Sequence, residues 1–262
     1  MGEQTQLQTQ SGGTVANPMK SWEKGIANAL DEINDALPKD FSKPRFVQNA
    51  MTMIQDKPEL IQNEKTRNQV LPVLMRGAVL GLDYTSKEWY PVSYGSKLEF
   101  QMSYRGAEKL ARKYSIKPIK SIVCDIVRDG DDFQMEIKDN DVKVNFKPKP
   151  FNRAETVGAF CFVTFEDGSA LCETMNIDEL ESTRKMSKMG NGGAWKSTPW
   201  EMQKKCVIKR LMKRIEVDFE NPQQGVYFND DEAIATEPEE IIEVTQAEIE
   251  ENANQIPFDV ED

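Results

Sequence analysis

Residues 184–215 read RKMSKMGNGGAWKSTPWEMQKKCVIKRLMKRI, and this stretch decides how the chain divides into core and surface. It begins as a basic loop with a glycine cluster and continues from Thr198 with the pattern of a helix. Thr198 is the expected N-cap, Pro199 takes the first helical position, and Glu201 completes a T-x-x-E capping box. The sequence therefore predicts a helix from Pro199 to about residue 215.

The predicted helix has two faces. At about 100° per residue, one arc is apolar and must face a core. This arc contains Trp200, Val207, Ile208, Leu211 and Ile215. The opposite side is basic and presents Lys205, Lys209 and Lys213, flanked by Arg210 and Arg214. Lys204 falls inside the apolar arc, so its side chain either extends past the helix start to water or points at a specific partner.

Charge is distributed unevenly along the chain. Residues 182–215 hold ten Lys or Arg and one acidic residue, a net charge of +9. An ordinary solvated face normally mixes both signs so that i,i+4 pairs form, whereas a field of one sign favours a polyanion as partner. From Glu216 to the end there are sixteen acidic residues and no Lys or Arg. The net charge of −11 therefore averages an acidic tail with a body that carries 33 basic and 28 acidic residues, net +5.

The composition excludes several classes of site. The chain has no histidine, which removes His-dependent triads, His general bases and His metal ligands. The four cysteines show no C-x-x-C spacing and are interpreted as buried free thiols in a reducing compartment. No apolar run approaches the roughly 18 residues of a membrane-spanning helix, and the N-terminus lacks the core of a signal peptide. We therefore expect a cytoplasmic protein.

The first third of the chain predicts helices. Residues 1–18 have the composition of a disordered arm. Helical spacing follows over 22–37, 41–54 and 66–82. Pro38 ends the first of these helices, and Pro72 is expected in the first turns of the third.

Alternating patterns then mark strands. Segments 88–94 and 97–104 are joined by Gly95-Ser96, a two-residue hairpin signal. A helix over 106–114 follows, then strand patterns at 121–127, 133–137, 142–146, 157–165 and 170–175, and a helix over 177–188. The strand 157–165 is apolar on both faces, which indicates a central strand.

The predicted fold class is α+β, an antiparallel β-sheet of about five to seven strands with helices packed beside it and disordered termini. The predicted domains are a disordered arm at 1–18, a single core at 19–220, and an acidic, largely disordered tail at 221–262.

Two motifs point towards enzymes. Residues 190–197, GNGGAWKS, look like a phosphate-binding loop, but Trp195 stands where the Walker A pattern requires glycine. Asp129, Asp131 and Asp132 could bind a metal, as in a nuclease that needs no histidine. Asp-Gly between two strand patterns is first of all a turn, and no further acid recurs at a ligand-like spacing. A metal-dependent nuclease stays open as the less favoured alternative.

Several segments, taken in order, resemble the RecT family of phage and prophage single-strand annealing proteins, the relatives of lambda Beta. These segments are Ala78–Leu82, Trp89–Val92, Gln101–Ala107, Leu110–Lys113, Val127–Phe133 and Val157–Phe160. The stretch quoted first is similar to the family pattern SK......W....EM..K...R...K through Ser187, Lys188, Trp195, Glu201, Met202, Lys205, Lys209 or Arg210, and Lys213. The sequence departs from the family at Lys147, where histidine is frequent, and at Ser103, where the family has glycine.

The resemblance implies a protein that binds single-stranded DNA, forms a large homo-oligomer (a ring or a helical filament) and anneals complementary strands without ATP or another cofactor. It also implies an annealed duplex intermediate and a partner phage-type exonuclease that generates the single strand. Annealing makes and breaks no covalent bond, so no catalytic residues and no metal are expected. The resemblance also places the protein in a bacterial host cell and assigns DNA binding, annealing and oligomerisation to the core at 19–220. The acidic tail is interpreted as a solvating, disordered end, with competition against nucleic acid for the basic surface or binding of a basic partner as the functional alternatives. Its Ile256–Phe258 is similar to the tail tip of bacterial single-strand-binding proteins, which makes a host single-strand-binding protein a candidate partner of the tail.

The predicted DNA-binding residues come from two parts of the chain. Their cations would neutralise phosphates, and their aromatic rings would stack on bases, although Tyr104 fits the core equally well. The set is Tyr104, Arg105, Lys109, Arg112 and Lys113 around the helix at 106–114, with Lys188, Trp195, Lys196, Lys204, Lys205, Lys209, Arg210, Lys213 and Arg214 in the stretch quoted first. A protective single-strand-binding protein that coats DNA without pairing it is the alternative binding function.

Overall fold

The computed structural model describes residues 18–139, 141–187 and 190–229. In chain order the elements are α1 (Pro18–Glu32), a 3₁₀ turn (Asn34–Ala36), α2 (Lys43–Asp56), α3 (Glu59–Gln62), α4 (Glu64–Leu80), β1 (Trp89–Tyr94), β2 (Lys97–Met102), α5 (Tyr104–Tyr114), β3 (Ile119–Arg128), β4 (Asp132–Lys138), β5 (Asp141–Lys147), β6 (Thr156–Phe165), β7 (Ala170–Asn176), α6 (Ile177–Met186), α7 (Gly193–Ser197), α8 (Pro199–Met212) and α9 (Pro222–Asn229). The predicted arm up to residue 17 and the tail beyond 229 lie outside the described residues.

The described residues form two compact units. The first combines 18–116 with 216–229, and the second is the described part of 117–215. The segment 19–220, expected as one core, contains the second unit and most of the first. The fold class is α+β, as predicted, with seven antiparallel strands in the described residues. They are hydrogen-bonded as two hairpins and one three-stranded sheet, rather than as a single sheet. Within the described residues, no helix combines the length and apolar character needed to cross a membrane.

In the first unit, β1 and β2 form the predicted hairpin. Tyr94 pairs with Lys97, so Gly95 and Ser96 make a two-residue turn, and Gly95 takes the positive φ of +63° that such a turn requires. Leu98, Phe100 and Met102 alternate on the buried face of β2, and Gln101 on its opposite face is buried as well. The predicted strand end at residue 104 is wrong, since β2 stops at Met102.

Helix α4 is the main helix of the first unit. Asn63 caps its N-terminus by accepting a hydrogen bond from the Lys65 N–H, and Gly81 ends it at φ +67°. Pro72 lies inside α4 rather than in its first turns, because the helix begins earlier than the apolar spacing indicates. Its buried face packs with the hairpin, and Trp89 stacks on Phe100 with the ring centroids 5.1 Å apart.

The first unit continues beyond the boundary that the sequence analysis places at 220/221. Helix α9 is buried against α4 through Gln224, whose amide donates to the Val79 carbonyl at 2.8 Å. Phe228 is also buried, and its ring lies 5.4 Å from that of Phe219. The Arg76 guanidinium lies 4.8 Å from the centre of the Tyr227 ring. The segment 222–229 is therefore part of the core.

The second unit is built on a three-stranded sheet with the order β3-β6-β7. Strand β6 is central, as its two apolar faces predict, and pairs antiparallel with both neighbours. The β4–β5 hairpin packs on β6 through a cluster of three rings, Phe133, Phe146 and Phe160. Helix α8 packs on the sheet, and the Cys124 thiol of β3 reaches the Lys204 carbonyl of α8 at 3.5 Å.

Candidate nucleic-acid interface

Helix α8 begins where the sequence predicts but without the predicted capping box. Thr198 is the N-cap residue, yet its side chain makes no capping hydrogen bond, and its hydroxyl donates to the Ala194 carbonyl at 3.4 Å instead. Glu201 pairs with Lys204 at 2.7 Å. The short helix α7 leads directly into α8, and it supplies the carbonyl that competes for the Thr198 hydroxyl.

The inner side of α8 agrees with the predicted arc except at its start. Val207, Ile208, Leu211 and Ile215 are buried. Trp200 is 41 % exposed, so its predicted place in the core is wrong. Trp200 lies on the same side of the helix as the apolar arc, but it is in the first turn, where few other residues cover its side chain. Met202, Cys206 and Met212 are also buried, which makes the buried part of α8 wider than one face.

The cations of α8 fall into two groups. Arg210 pairs with Glu179 at 2.8 Å, and Arg214 pairs with Glu173 at 2.7 Å, so both arginines join α8 to acids of α6 and β7. The hydrogen bond from Arg210 lowers the pKa of Glu179. The second group, Lys205, Lys209 and Lys213, lies on the outer side; Lys213 is exposed and the other two are half-buried.

Lys204, which falls in the apolar arc, reaches a specific partner. Its amino group pairs with Glu201, and its side chain is 27 % exposed. Burial on its own would lower the pKa of Lys204, but the hydrogen bond to Glu201 and the charges of Glu201 and Asp125 raise it above its usual value. Lys204 therefore stays charged, and it is held along the helix.

The loop before α8 does not present the predicted aromatic ring. Trp195 is 4 % exposed within α7, so its ring faces are covered and a base has no access to them in this structure. The packing of Trp195 is a tertiary contact that the glycine-rich loop sequence does not indicate. Lys196, its neighbour, is exposed. Lys188 lies outside the described residues.

Helix α5 in the first unit carries the other predicted residues. Ser103 caps it by accepting hydrogen bonds from the backbone N–H groups of Arg105 and Gly106. Tyr104 opens the helix rather than ending β2, and it is half-buried. The Arg105 side chain is exposed and donates to the Tyr104 hydroxyl at 3.3 Å. Tyr104 is therefore neither a fully presented stacking surface nor a core residue.

Three α5 cations have acidic partners in the same unit. Lys109 pairs with Glu88 at 2.7 Å and also donates to the Gly81 carbonyl at 3.0 Å. Arg112 pairs with Glu108 one turn earlier at 2.9 Å. Lys113 pairs with Asp40, and this bond contributes to a raised pKa of Lys113, against the effect of its burial. The Arg112 and Lys113 pairs are exposed, and such pairs are worth about 1 kcal/mol or less, so phosphate can compete for these two cations, whereas the Glu88 partner of Lys109 is largely buried.

In the acidic cluster considered for a metal, Asp131 fixes a turn through hydrogen bonds. One Asp131 oxygen accepts from the Arg128 N–H at 2.8 Å, and the other accepts from the Lys149 N–H at 3.0 Å and from the Asn152 amide at 2.8 Å. Both carboxylate oxygens are thus used by the protein. Within the described residues, no three His, Cys, Asp or Glu side chains are arranged to hold a metal ion.

The cysteines in the described core are free thiols. Cys124 and Cys161 face each other across β3 and β6. Their mutual hydrogen bond, together with burial, raises the pKa of Cys124 well above its usual value. Burial also raises the pKa of Cys206 to about 11. A thiol with a raised pKa is a poor nucleophile at neutral pH.

One exposed segment was not singled out in the sequence analysis. Residues 147–153, KPKPFNR, carry three cations around an aromatic residue, and all of Lys147, Lys149, Phe151 and Arg153 are exposed. A basic run with an interleaved aromatic residue is a recognisable nucleic-acid signal. In the sequence, two prolines between two strand patterns indicate an ordinary loop that joins the strands.

Comparison with known proteins supports the family resemblance that the ordered motifs indicate. The model of the RecT family matches residues 44–246, which includes α4, α5, the three-stranded sheet and α8. The chain is also similar to Protein RecT of Escherichia coli K12, with 29 % identity over 218 residues that cover 79 % of each chain. The match spans the larger part of the chain and both units. The chain is therefore a member of the RecT family, a family of DNA recombination and single-strand annealing proteins.

Proposed function

We propose that this protein binds single-stranded DNA as a homo-oligomer and anneals complementary strands without ATP. The observation that carries the proposal is the outer side of α8, where Lys205, Lys209 and Lys213 recur every four residues along a helix that is otherwise largely buried. A row of lysines with the regular spacing of one helix suits the regular charge of a phosphodiester backbone. Membership of the RecT family supports the same activity.

The physical steps need no covalent chemistry. Cations neutralise phosphates, so a second strand approaches with less electrostatic repulsion. Binding through the backbone leaves base edges available for pairing, and phosphate contacts carry no sequence information. Arg210 and Arg214 form ion pairs that hold α8 on α6 and β7. The lysine row therefore stays in place while the bound strand pairs with its complement.

The remaining parts of the proposal concern partners and location. A phage-type exonuclease would supply the single strand, and the acidic tail would contact partners such as the host single-strand-binding protein. The protein would act in the cytoplasm of a bacterial cell. These assignments rest on the family and on the thirteen acidic residues that follow Asn229.

The test is a fluorescence annealing assay with two complementary oligonucleotides, in the absence of nucleotide and metal, over a range of salt concentrations. We expect the protein to accelerate duplex formation over the protein-free rate and the acceleration to fall with salt. Binding with slower duplex formation would identify a protective coating protein instead. Loss of full-length strands on addition of magnesium would identify a nuclease, to be checked by replacing Asp129, Asp131 and Asp132 with alanine.

A further inference from the structure

Phe151 lies in the loop between β5 and β6 and is 98 % exposed. A single exposed apolar side chain is ordinary on a protein surface. Three features set Phe151 apart: the conformation of its backbone, the rigidity of its loop, and the charges on either side. None of them is explained by the core, because the ring contributes almost nothing to burial.

The first feature is a backbone conformation that phenylalanine rarely adopts. Phe151 has φ +57°, in the left-handed region that favours glycine, asparagine or aspartate. Such strain persists only where surrounding interactions fix it, and it is found preferentially at functional positions. Here the strained residue gains no packing, so the cost is not offset by stability.

The second feature is the set of hydrogen bonds that fixes this loop. The Asn152 side chain donates to Asp131 at 2.8 Å and to the Asp129 carbonyl at 3.1 Å, and it accepts from the Ala154 N–H at 2.9 Å. The Arg128 guanidinium donates to the Ala154 carbonyl at 2.8 Å. The carboxylate that the sequence analysis weighed as a metal ligand therefore anchors the loop that presents Phe151.

The third feature is the charge around the ring. Lys147, Lys149 and Arg153 are exposed, and none of them forms an ion pair with any residue in the described part of the chain. This contrasts with Lys109, Arg112 and Lys113 of α5, which have acidic partners. Exposed acids are also near in sequence, at Asp129, Asp132 and Glu155, so net charge alone does not select a ligand. A nucleic-acid ligand is indicated instead by the combination of an exposed ring and unpaired cations beside it in the sequence.

We propose that Phe151 is a stacking platform for a base of single-stranded DNA, with Lys147, Lys149 and Arg153 contacting the phosphates on either side. Any base serves as the ligand, because every base has a π-face that an aromatic ring can cover. This inference rests on the proposed function and adds a subsite that lies outside α8. A loop that is already fixed by hydrogen bonds needs no ordering of its backbone when the base arrives, which favours binding.

The test compares ring-removing and ring-retaining variants on two ligands. Phe151→Asn removes the ring and suits the left-handed backbone, and Phe151→Trp retains an aromatic face. Ile137→Thr, at another exposed apolar residue of the same unit (67 % exposed), is the matched control. The ligands are an oligothymidylate and an abasic oligonucleotide of the same length, measured over a salt series.

We expect Phe151→Asn to weaken oligothymidylate binding about 5- to 100-fold, the range for loss of one base stack. The log–log salt slope should not change, because no phosphate contact is lost. Binding of the abasic strand should be unaffected, and Ile137→Thr should bind both ligands as the wild type does. Phe151→Trp should retain affinity, and its additional fluorescence over the wild type should be quenched by oligothymidylate.

Three outcomes would overturn the inference. If wild type binds oligothymidylate and Phe151→Asn binds it equally well, the stacking subsite is wrong while the proposed function stands. Equal losses on both ligands would mean that the ring does not meet bases. A smaller assembly of Phe151→Asn in sedimentation velocity without DNA would mean that the ring contacts a second copy. If the wild type binds neither ligand, the proposed function itself fails.

Discussion

At the residue scale, Lys109, which the sequence predicts to contact DNA, holds parts of the first unit together. Its amino group joins the Gly81 carbonyl, at the end of α4, to the Glu88 carboxylate. The same carboxylate accepts from the Asp83 N–H at 2.7 Å and is 13 % exposed. Removing Lys109 would therefore leave a largely buried acceptor without its charged partner.

We expect Lys109→Met to lower the free energy of unfolding by about 1–2 kcal/mol, because a buried acceptor loses its partner. Urea denaturation measures this. Arg112→Met, which removes a surface i,i+4 pair, is the control and should change the same quantity by about 0.5 kcal/mol or less. If Lys109→Met kept full stability but reduced the salt dependence of DNA binding, Lys109 would be a phosphate contact after all.

Asp83 is a buried carboxylate of the first unit whose pKa the fold lowers. It is 8 % exposed and accepts from the Thr85 hydroxyl at 2.7 Å and from Arg45 at 2.9 Å. Burial on its own would raise the pKa of Asp83, but these bonds and those from the Thr85 and Ser86 N–H groups hold it below its usual value. A lowered folded-state pKa contributes stability above the unfolded pKa of about 3.9, and this stability is lost as the pH falls through the lower folded value.

We therefore expect the wild type to be more stable than Asp83→Asn above about pH 5, and this difference to shrink as the pH is lowered below about 4. Chemical denaturation of both proteins between pH 6 and pH 3 provides the measurement. A difference that stays constant or grows towards acid pH would contradict the lowered pKa of Asp83.

At the scale of elements, α8 carries two arginines paired with acids of α6 and β7 and a row of lysines that we propose to contact DNA. Lys205→Ala and Lys209→Ala should weaken single-stranded DNA binding and reduce the log–log salt slope by about 0.7 for each lost phosphate contact. Lys120→Ala, an exposed lysine on β3 of the same unit, is the control. Fluorescence titrations at several salt concentrations measure the slopes. Unchanged slopes in both α8 variants would show that these lysines do not meet phosphate.

Helix α9 is an element whose removal should unfold part of the first unit. A chain ending at Glu220 should be less stable than one ending at Asn229 by about 2–4 kcal/mol, because Phe228 leaves the core and the Val79 carbonyl loses the Gln224 amide. Thermal and urea unfolding compare the two chains. Phe228→Ala and Val226→Ala are a matched pair, since Val226 is 67 % exposed. Equal stability of the two truncations would mean that α9 contributes nothing.

At the scale of the whole molecule, the acidic tail and the basic body oppose each other. Thirteen acidic residues and no Lys or Arg follow Asn229, so deletion of 230–262 changes the net charge from −11 to +2. We expect the deletion to tighten single-stranded DNA binding by removing a competing polyanion. Titration of both proteins at low and high salt tests this, because the difference should diminish with screening. Weaker binding by the truncated protein would contradict competition by the tail.

The sequence by itself determined the local elements and the family. Period-2 and period-3.6 patterns identified the β1–β2 turn, the central strand β6 and the buried arc of α8 from Val207 to Ile215, because these patterns reflect which side of an element is covered. The ordered motifs of both units identified the family before any contact was known. These signals are local or follow the order of the chain, so they can be recognised without a structure.

Only the tertiary structure decided which side chains are available. Arg210 meets Glu179, and Lys109 meets Glu88, across 31 and 21 residues of sequence. Trp195 is covered by packing, and Phe151 is held out in solvent by bonds from a turn about twenty residues earlier. A cation or a ring looks the same in sequence whether it is paired, buried or presented. Its availability depends on neighbours brought close by folding, and these distant pairings leave no periodic pattern in the chain.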